Sequence, residues 1–357
     1  MNKSSKLFLF IGCILILLVL QRLSINDNEN ITNIDDKSND VLIDNPKSSG
    51  FWELEAVVLI NDSATGVGAQ NWTWAIAQDW CSGAGIEDDP FLIENVTITV
   101  DDASAGLTIV NSNSTTYFKL NNITIVNDGG DGLELNSVSN GTIISSDFNL
   151  NGGTGINMNN VNSTSITFTY ALNNTVDGIY AIDSNLNEFI VDCSGNGRYG
   201  LMLENCDNNT ITISDFFDNV ESGVVIVESG EDDSLNNEIY GNTFENNTLN
   251  GVDNSTIANT WDDGVSLGND WDDYTGADAD DDNIGDTSYD ISGLAEAVDN
   301  YPYCSDGDEP IPHASDSGDD RDLWEPANPI VLAILVGIFF GFFVSVLVIS
   351  KLLIKKR

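Results

Sequence analysis

Five segments of this chain align one beneath another without gaps in their first positions: "GLELNSVSNGTIISSDF" from Gly132, "GINMNNVNSTSITFTYA" from Gly155, "GIYAIDSNLNEFIVDCS" from Gly178, "GLMLENCDNNTITISDF" from Gly200 and "GVVIVESGEDDSLNNEIYGNTF" from Gly223. The glycines step by 23, 23, 22 and 23 residues. A fixed period in this range is the mark of a repeat architecture, in which each unit buries its apolar face only against its neighbours. Other positions keep the register. Four residues before the glycine stands Asn151, Asn174, Asn196 or Asn219, with Asn247 before Gly251 and Asp128 taking the place before Gly132.

Within each unit the apolar residues alternate, as Leu133 and Leu135, Ile156 and Met158, Leu201 and Leu203, Val224 and Ile226. A second patch repeats further on: Ile143 with Phe148, Ile166 with Ala171, Ile211 with Phe216, Ile239 with Phe244. Period two over three to five residues, bounded by Gly and Asn, predicts short strands with one buried face, and no segment shows helical spacing. Two or three such strands per unit predict an all-β solenoid whose coils stack at about 4.8 Å, each bonding to the coils on either side. With Gly106 and Gly251 extending the series, about seven coils are expected, a rod on the order of 35 Å long. The asparagine column has a physical reason, because a side-chain amide can bond both its own turn and the next asparagine. Glycine is expected to supply the backbone freedom of each corner. A β-sandwich would instead need paired turn signals at irregular spacing.

These registers, with the opening "WCSGAGIEDDPFLIENVTI" and the closing "NDWDDYTGADADDDNIGDTSYDI" followed by "DNYPY", resemble the right-handed parallel β-helix repeat family, in particular its NosD-like surface and periplasmic proteins. The resemblance covers about residues 57–303. It implies a cap at each end, which a solenoid needs to cover terminal apolar residues and unpaired strand edges. Trp72, Trp74, Trp80, Trp261 and Trp271 are expected to pack in those caps. The copper association of NosD proteins is not carried over, since the chain has one histidine, His313, and three methionines.

Charge limits the partners. With 57 acidic against 12 basic residues, a net charge of -45, nucleic acid is excluded as a partner and cations are favoured. In the stretch "GADADDDNIGD", Asp278, Asp280, Asp282 and Asp286 occupy positions 1, 3, 5 and 9 of a loop whose position 7, Ile284, offers a carbonyl, the order of an EF-hand calcium loop. Position 6 holds Asn283, which tolerates positive φ, and position 12 is Tyr289 where a bidentate Glu is usual. The resemblance implies the same reading, and a structural calcium stiffening the final cap is expected.

A catalytic constellation is harder to find. A lyase needs a base, and in the coil region only Lys119 and Arg198 qualify. A hydrolase needs two carboxylates. Asp131 and Asp177 share a column two coils apart with Thr154 between them, and are read as turn residues.

Both ends are apolar. After Lys3 and Lys6 the fourteen-residue run "LFLFIGCILILLVL" predicts a signal peptide or signal anchor over residues 1–22. Near the other end "IVLAILVGIFFGFFVSVLVIS", within residues 329–350, predicts a transmembrane helix, followed by a basic tail over residues 351–357 expected in the cytoplasm. Between them the expected order is an acidic linker (23–50), an N-terminal cap with the first coils (51–105), the repeats (106–260), a C-terminal cap with the acidic loop (261–303) and an acidic stalk (304–328). The ectodomain would then lie outside the cell on a single-pass membrane anchor. Sequons at Asn61, Asn71, Asn95, Asn113, Asn122, Asn140, Asn162, Asn173, Asn208, Asn246 and Asn254 are candidates for glycosylation. The expected function is non-catalytic binding or scaffolding by contact with glycans or other surface proteins. The alternatives are an extracellular polysaccharide lyase or glycoside hydrolase, and a NosD-like accessory or assembly factor.

Overall fold

The computed structural model describes residues 50–304 apart from 231, 232 and 281. The alternating segments form two long parallel sheets. One runs through eight strands in line: Val58–Asn61, Leu107–Val110, Leu133–Ser139, Ile156–Asn162, Ile179–Ile182, Tyr199–Glu204, Ser222–Val227 and Leu249–Asp253. The other begins at Trp52–Leu54, continues through Phe91–Val100, Phe118–Asn127, Gly141–Ile144, Ser165–Tyr170 and Glu188–Asp192, and ends at Asp270–Trp271. Like stacks on like. Leu133 pairs with Ile156, Ile156 with Ile179, Ile179 with Leu201 and Leu201 with Val224, all fully buried. Each such side chain contributes about 2 kcal/mol of apolar burial. The coil therefore stands only because its neighbours cover it.

Three sequence expectations are corrected here. Eight strands in line make about eight coils, not seven. The first coil escaped the count because Val57 occupies the place that Gly106 holds before Leu107, and because residues 62–90 intervene before the second sheet resumes. A short helix, Trp72–Ala75, breaks the all-strand expectation. Four residues are too few to show a period, and its start is marked only by Asn71, whose Oδ1 accepts the Trp74 N–H at 3.1 Å. Among the described residues no helix is long and apolar enough to cross a membrane, against the expected membrane-spanning helix. Residues 329–350 lie outside the described residues, as do the leader, stalk and basic tail.

The corners overturn a further expectation. None of Gly132, Gly155, Gly178, Gly200 and Gly223 has positive φ. Left-handed backbone is instead carried mostly by Asn, Ser and Asp in register, as Ser137, Asn160, Asp183 and Asn205, or Asn140, Ser163, Asn208 and Asn236, with Leu186 the apolar member of the second column. Short polar side chains accept this region at low cost. The register glycines serve close approach: a Cβ on Gly132 would lie 2.7 Å from the Gly155 carbonyl and 2.9 Å from Asn151 Nδ2.

That amide belongs to a continuous ladder. The Nδ2 group of Asn151 donates to Asn174 Oδ1 at 2.9 Å, Asn174 to Asn196 at 3.1 Å, Asn196 to Asn219 at 3.1 Å and Asn219 to Asn247 at 3.0 Å. Each Oδ1 also accepts the backbone N–H of the preceding asparagine in the ladder. At the upstream end the column is held by Asn127, whose N–H donates to Asn151 Oδ1 at 2.8 Å, and not by Asp128. Asp would offer no N–H where Asn127 Nδ2 donates to the Ser104 and Asp131 carbonyls. Two further ladders run parallel to this one, through Asn187, Asn209, Asn237 and Asn259, and through Asn242 and Asn269.

All three ladders point their donors toward the C-terminal end, so each must finish on an acceptor. Each finishes on carboxylates. Asn247 donates to Asn250, which donates to Asp272 and Asp273. Asn259 donates to Asp253. The backbone N–H of Asn269 donates to Asp299 at 2.7 Å, and the indole N–H of Trp271 joins it at 2.9 Å. An aromatic stack closes the same end, Phe216 on Phe244, Phe244 on Trp271 and Trp271 on Tyr289, with the last two pairs at 4.4 and 4.3 Å. Trp72, Trp80 and Trp261 are buried at the two ends, and Trp74 is half-buried.

Candidate functional site

The acidic loop leaves the C-terminal cap beside Tyr274. A Cβ on Gly276 or on Gly285 would collide with the Tyr274 hydroxyl at 2.0 and 1.9 Å, so the ring is gripped between the two ends of the loop. Its hydroxyl donates to the Thr287 carbonyl at 2.6 Å. A second tie is the Gly285 N–H to the Pro302 carbonyl at 2.8 Å. Within this clamp Asp278, Asp280 and Asp282 bring carboxylate oxygens within 4.8 Å of one another. Asn283, at the sixth position, has a φ of 67°. Asp286 is turned away to accept the Ala279 N–H at 2.9 Å and does not join the three. Ile284 donates its N–H to Asp282 and pairs with Tyr303.

The charges set what the loop can hold. The Asp282 carboxylate pushes Asp280 above the usual carboxylate range, helped by slight desolvation and by Asp278 and Asp286. Three hard oxygen donors on a clamped loop fit a divalent cation that prefers oxygen, calcium first. Asp278, Asp280 and Asp282 would hold it, and its charge would replace the repulsion with attraction.

The two long sheets each present an outer face. On the face of the longer sheet one column reads Thr97, Thr124, Asp147, Tyr170, Asp192, Asp215, Thr243 and Asp270, every neighbour in register. Their inward neighbours Phe148, Ala171, Cys193, Phe216 and Phe244 are fully buried, which sets this column on the outer side, although Asp192 is itself only 5% exposed and accepts from the Ser194 hydroxyl. Burial raises the Asp147 carboxyl, against a hydrogen bond from Thr124. Asp192 and Asp215 pair directly, one coil apart, which places their Cα atoms about 4.8 Å from each other. Sequence reasoning missed this pair. They are 23 residues apart, so one more aligned column in the repeat would have shown them.

The bases and carboxylates singled out from sequence fall elsewhere. Lys119 lies on the outer face between Leu92 and Thr142 of the flanking coils. Arg198 binds Asp177 through both nitrogens, Nε to Oδ1 at 2.9 Å and Nη2 to Oδ2 at 2.5 Å. That pairing holds the guanidinium protonated even more firmly than usual, against a smaller opposing effect of desolvation. Asp177, fully buried, also accepts the Tyr199 N–H. Asp131 accepts the Thr154 N–H at 2.7 Å and Asn157 Nδ2 at 2.9 Å. Both aspartates tie one coil to the next and do not converge on each other. His313 lies outside the described residues.

Among the sequons, Asn113, Asn122, Asn173, Asn208 and Asn246 are exposed, whereas Asn71 is spent on its helix cap and Asn140 donates to the Ser114 carbonyl.

Comparison with known proteins agrees with this architecture. Residues 105–270 match the sequence profile of a family described as "Right handed beta helix region". No curated protein matches the chain. Among solved structures it is similar to a mutant of the periplasmic alginate epimerase AlgG, at 16% identity and a TM-score of 0.37, over 45% of this chain and 41% of that one. It is also similar to the A-module of the Azotobacter vinelandii mannuronan C-5 epimerase AlgE4, at 16% identity and TM-score 0.33, over 50% and 58% of the two chains. A third likeness is to pectate lyase Pel9A, at 12% identity and TM-score 0.34, over 72% and 79%. The matched part spans less than two thirds of the length of either epimerase. The parallel registers make the described residues a parallel β-helix of about eight coils, and the profile match over residues 105–270 agrees with a right-handed one.

Proposed function

We propose that this chain is a non-catalytic β-helix acting outside the cytoplasm, that its outer sheet faces contact glycans, and that calcium bound by Asp278, Asp280 and Asp282 stiffens its C-terminal cap. The observation that carries the reading is the repetition of polar and aromatic side chains in register along the outer faces, such as Thr124, Asp147, Tyr170 and Asp215, all part-exposed. A repeating saccharide and a repeating protein face meet with the same kind of contact at each coil. The exposed sequons at Asn113, Asn173 and Asn208 support an extracytoplasmic setting. Against a lyase stands Arg198, which Asp177 keeps protonated and so unable to take a proton from a substrate. The test is a glycan array on the full chain, followed by incubation of each bound polysaccharide with the protein. Binding without new unsaturated or reducing ends is expected, and absence of binding to every glycan sinks the reading.

A second reading, a glycoside hydrolase, is favoured by Asp192 and Asp215. Their Cα atoms stand one coil apart, about 4.8 Å, which brings the two carboxyl groups within reach of the roughly 5 Å spacing of retaining glycosidases, with Asp192 buried and accepting from the Ser194 hydroxyl. New reducing ends that vanish in an Asp215→Asn variant would select this reading over the first.

A further inference from the structure

The outer face of the eight-stranded sheet carries a cluster that belongs to neither the acidic loop nor the aspartate column. Tyr180 projects from the strand Ile179–Ile182, between Asn157 and Met202 of the flanking coils, while its neighbours Ile179 and Ala181 are buried. Its hydroxyl donates to Glu204 Oε2 at 2.5 Å. At the leading margin of the same sheet Arg198 lies over the Tyr199 ring, 4.7 Å from its centroid, and is anchored to the buried Asp177. Burial first, and Glu221 beside it, raise the Tyr199 hydroxyl above its ordinary value. The Arg198 side chain remains 39% exposed although Nε and one terminal nitrogen are committed to Asp177.

Such an arrangement sorts ligands by charge. The guanidinium stands beside the carboxylates of Asp177 and Glu221, and Glu204 lies further along the same face against Tyr180, so a carboxylated sugar is repelled here as it is by the chain's net charge of -45. A simple cation meets Arg198. What suits the cluster is a group that both donates and accepts: hydroxyls give protons to Glu204 and Glu221 and take one from Arg198. The half-buried tyrosines add the flat apolar surface on which the C–H face of a pyranose packs.

We infer that Tyr180, Arg198, Tyr199, Glu204 and Glu221 form a contact site for a neutral saccharide on the outer face of the eight-stranded sheet. The inference rests on the glycan-binding reading and gives it a place and a ligand class. Glu204 and Tyr180 are already oriented toward one another, so binding requires little ordering of side chains.

The experiment is titration of the full chain, and of its Tyr180→Ala and Glu204→Gln variants, with cello-, manno- and chito-oligosaccharides and with oligogalacturonate, read by calorimetry. The wild type is expected to bind at least one neutral series and to bind oligogalacturonate more weakly or not at all. Tyr180→Ala is expected to weaken that binding about tenfold or more, and Glu204→Gln severalfold, with melting temperatures close to wild type because both side chains point outward. Neutral-saccharide binding that both variants retain in full overturns this site while leaving glycan binding elsewhere on the molecule intact. Preference for oligogalacturonate overturns the ligand class. A wild type that binds no saccharide overturns the site together with the reading it rests on.

Discussion

A Cβ placed on Gly155 would stand 2.8 Å from Nδ2 of Asn174, and 2.7 Å from the carbonyl oxygen of Gly178 in the coil that follows. The two most conspicuous registers of the sequence are thus one device. The asparagine of each coil needs its amide pressed against the coil before it, and the absence of a side chain on the glycine makes the room.

From this follows the cost of filling that room. Gly155→Ala pushes a methyl group into two backbone oxygens and an amide at distances that Cβ atoms do not tolerate, so the coils must separate locally. A loss of about 2 to 3 kcal/mol is expected by denaturant unfolding, at the upper part of the range for overpacked interiors. Gly264→Ala is the comparison for backbone conformation without crowding, because nothing lies within 4 Å of its added Cβ while its φ of 71° is left-handed.

The ladder itself is tested by reversing one donor. In Asn196→Asp an oxygen replaces the Nδ2 that donates to Asn219 Oδ1 at 3.1 Å and to the Ala171 carbonyl at 3.0 Å. Three acceptors then face one another with no proton between them at neutral pH. Unfolding measurements should show a loss of about 3 kcal/mol or more. Asn173→Asp, one residue before the ladder's Asn174 and exposed, should change stability by less than about 0.5 kcal/mol.

How far the sequence reveals these features depends on whether they respect one period. Asn151, Asn174, Asn196 and Asn219 repeat at 22 or 23 residues beside a glycine, and are plain in the alignment. The ladder of Asn187, Asn209, Asn237 and Asn259 is hidden because Asn209 and Asn237 are 28 residues apart, the coil between them being longer. Asn127 was displaced from view by Gly129 and Gly130, which set it five residues before Gly132 instead of four. The pairing of Arg198 with Asp177 depends on side-chain reach across a coil, which spacing along the chain does not encode. Composition could place aspartates in the cap, but only the direction of the ladders explains why Asp253 and Asp299 sit buried at their ends.

Asp299 gives the cap a pH dependence. Burial, against hydrogen bonds from Asn269, Trp271 and Tyr301 and with added repulsion from Asp262, pushes its carboxyl from 3.8 up to about 6. Between those values the folded state holds a proton that the unfolded chain has released. Stability from this group therefore falls as pH rises from about 4 to 6, by about 3 kcal/mol in all, and is flat above. Asp147, also raised, acts in the same direction. Denaturant midpoints measured across that window should decline toward pH 6 in the wild type and lose most of the slope in Asp299→Asn.

Calcium and charge removal should act on the acidic loop in opposite ways. Without a cation, Asp280→Asn relieves repulsion from Asp282, Asp278 and Asp286 and is expected to raise the melting temperature slightly. With calcium at about a hundredfold over its dissociation constant, the wild type should gain about 5 to 10 °C and the variant much less. Equal melting curves for the wild type in calcium and in chelator would remove calcium from the cap.

Backbone strain at one corner offers a test of the register that uses no ladder residue. Asn95, Asn122, Ser145, Phe168, Ile213 and Gly241 all take positive φ beside the longer sheet. At Asn95 and Asn122 the side chains also bond to each other, Asn122 Nδ2 to Asn95 Oδ1 at 2.7 Å. Ile213, with φ of 52°, is β-branched and half-exposed, so it bears the left-handed conformation without a side-chain hydrogen bond to offset it. If the strain is intrinsic to that backbone, Ile213→Asn should stabilise the protein by about 1 kcal/mol, the cost of the left-handed region for an ordinary residue. Asn122→Ile should destabilise by at least as much, since it adds that cost and leaves Asn95 Oδ1 without its donor. Thermal unfolding of the two variants checks both signs, and a loss of stability in Ile213→Asn would mean that its side-chain contacts outweigh the strain.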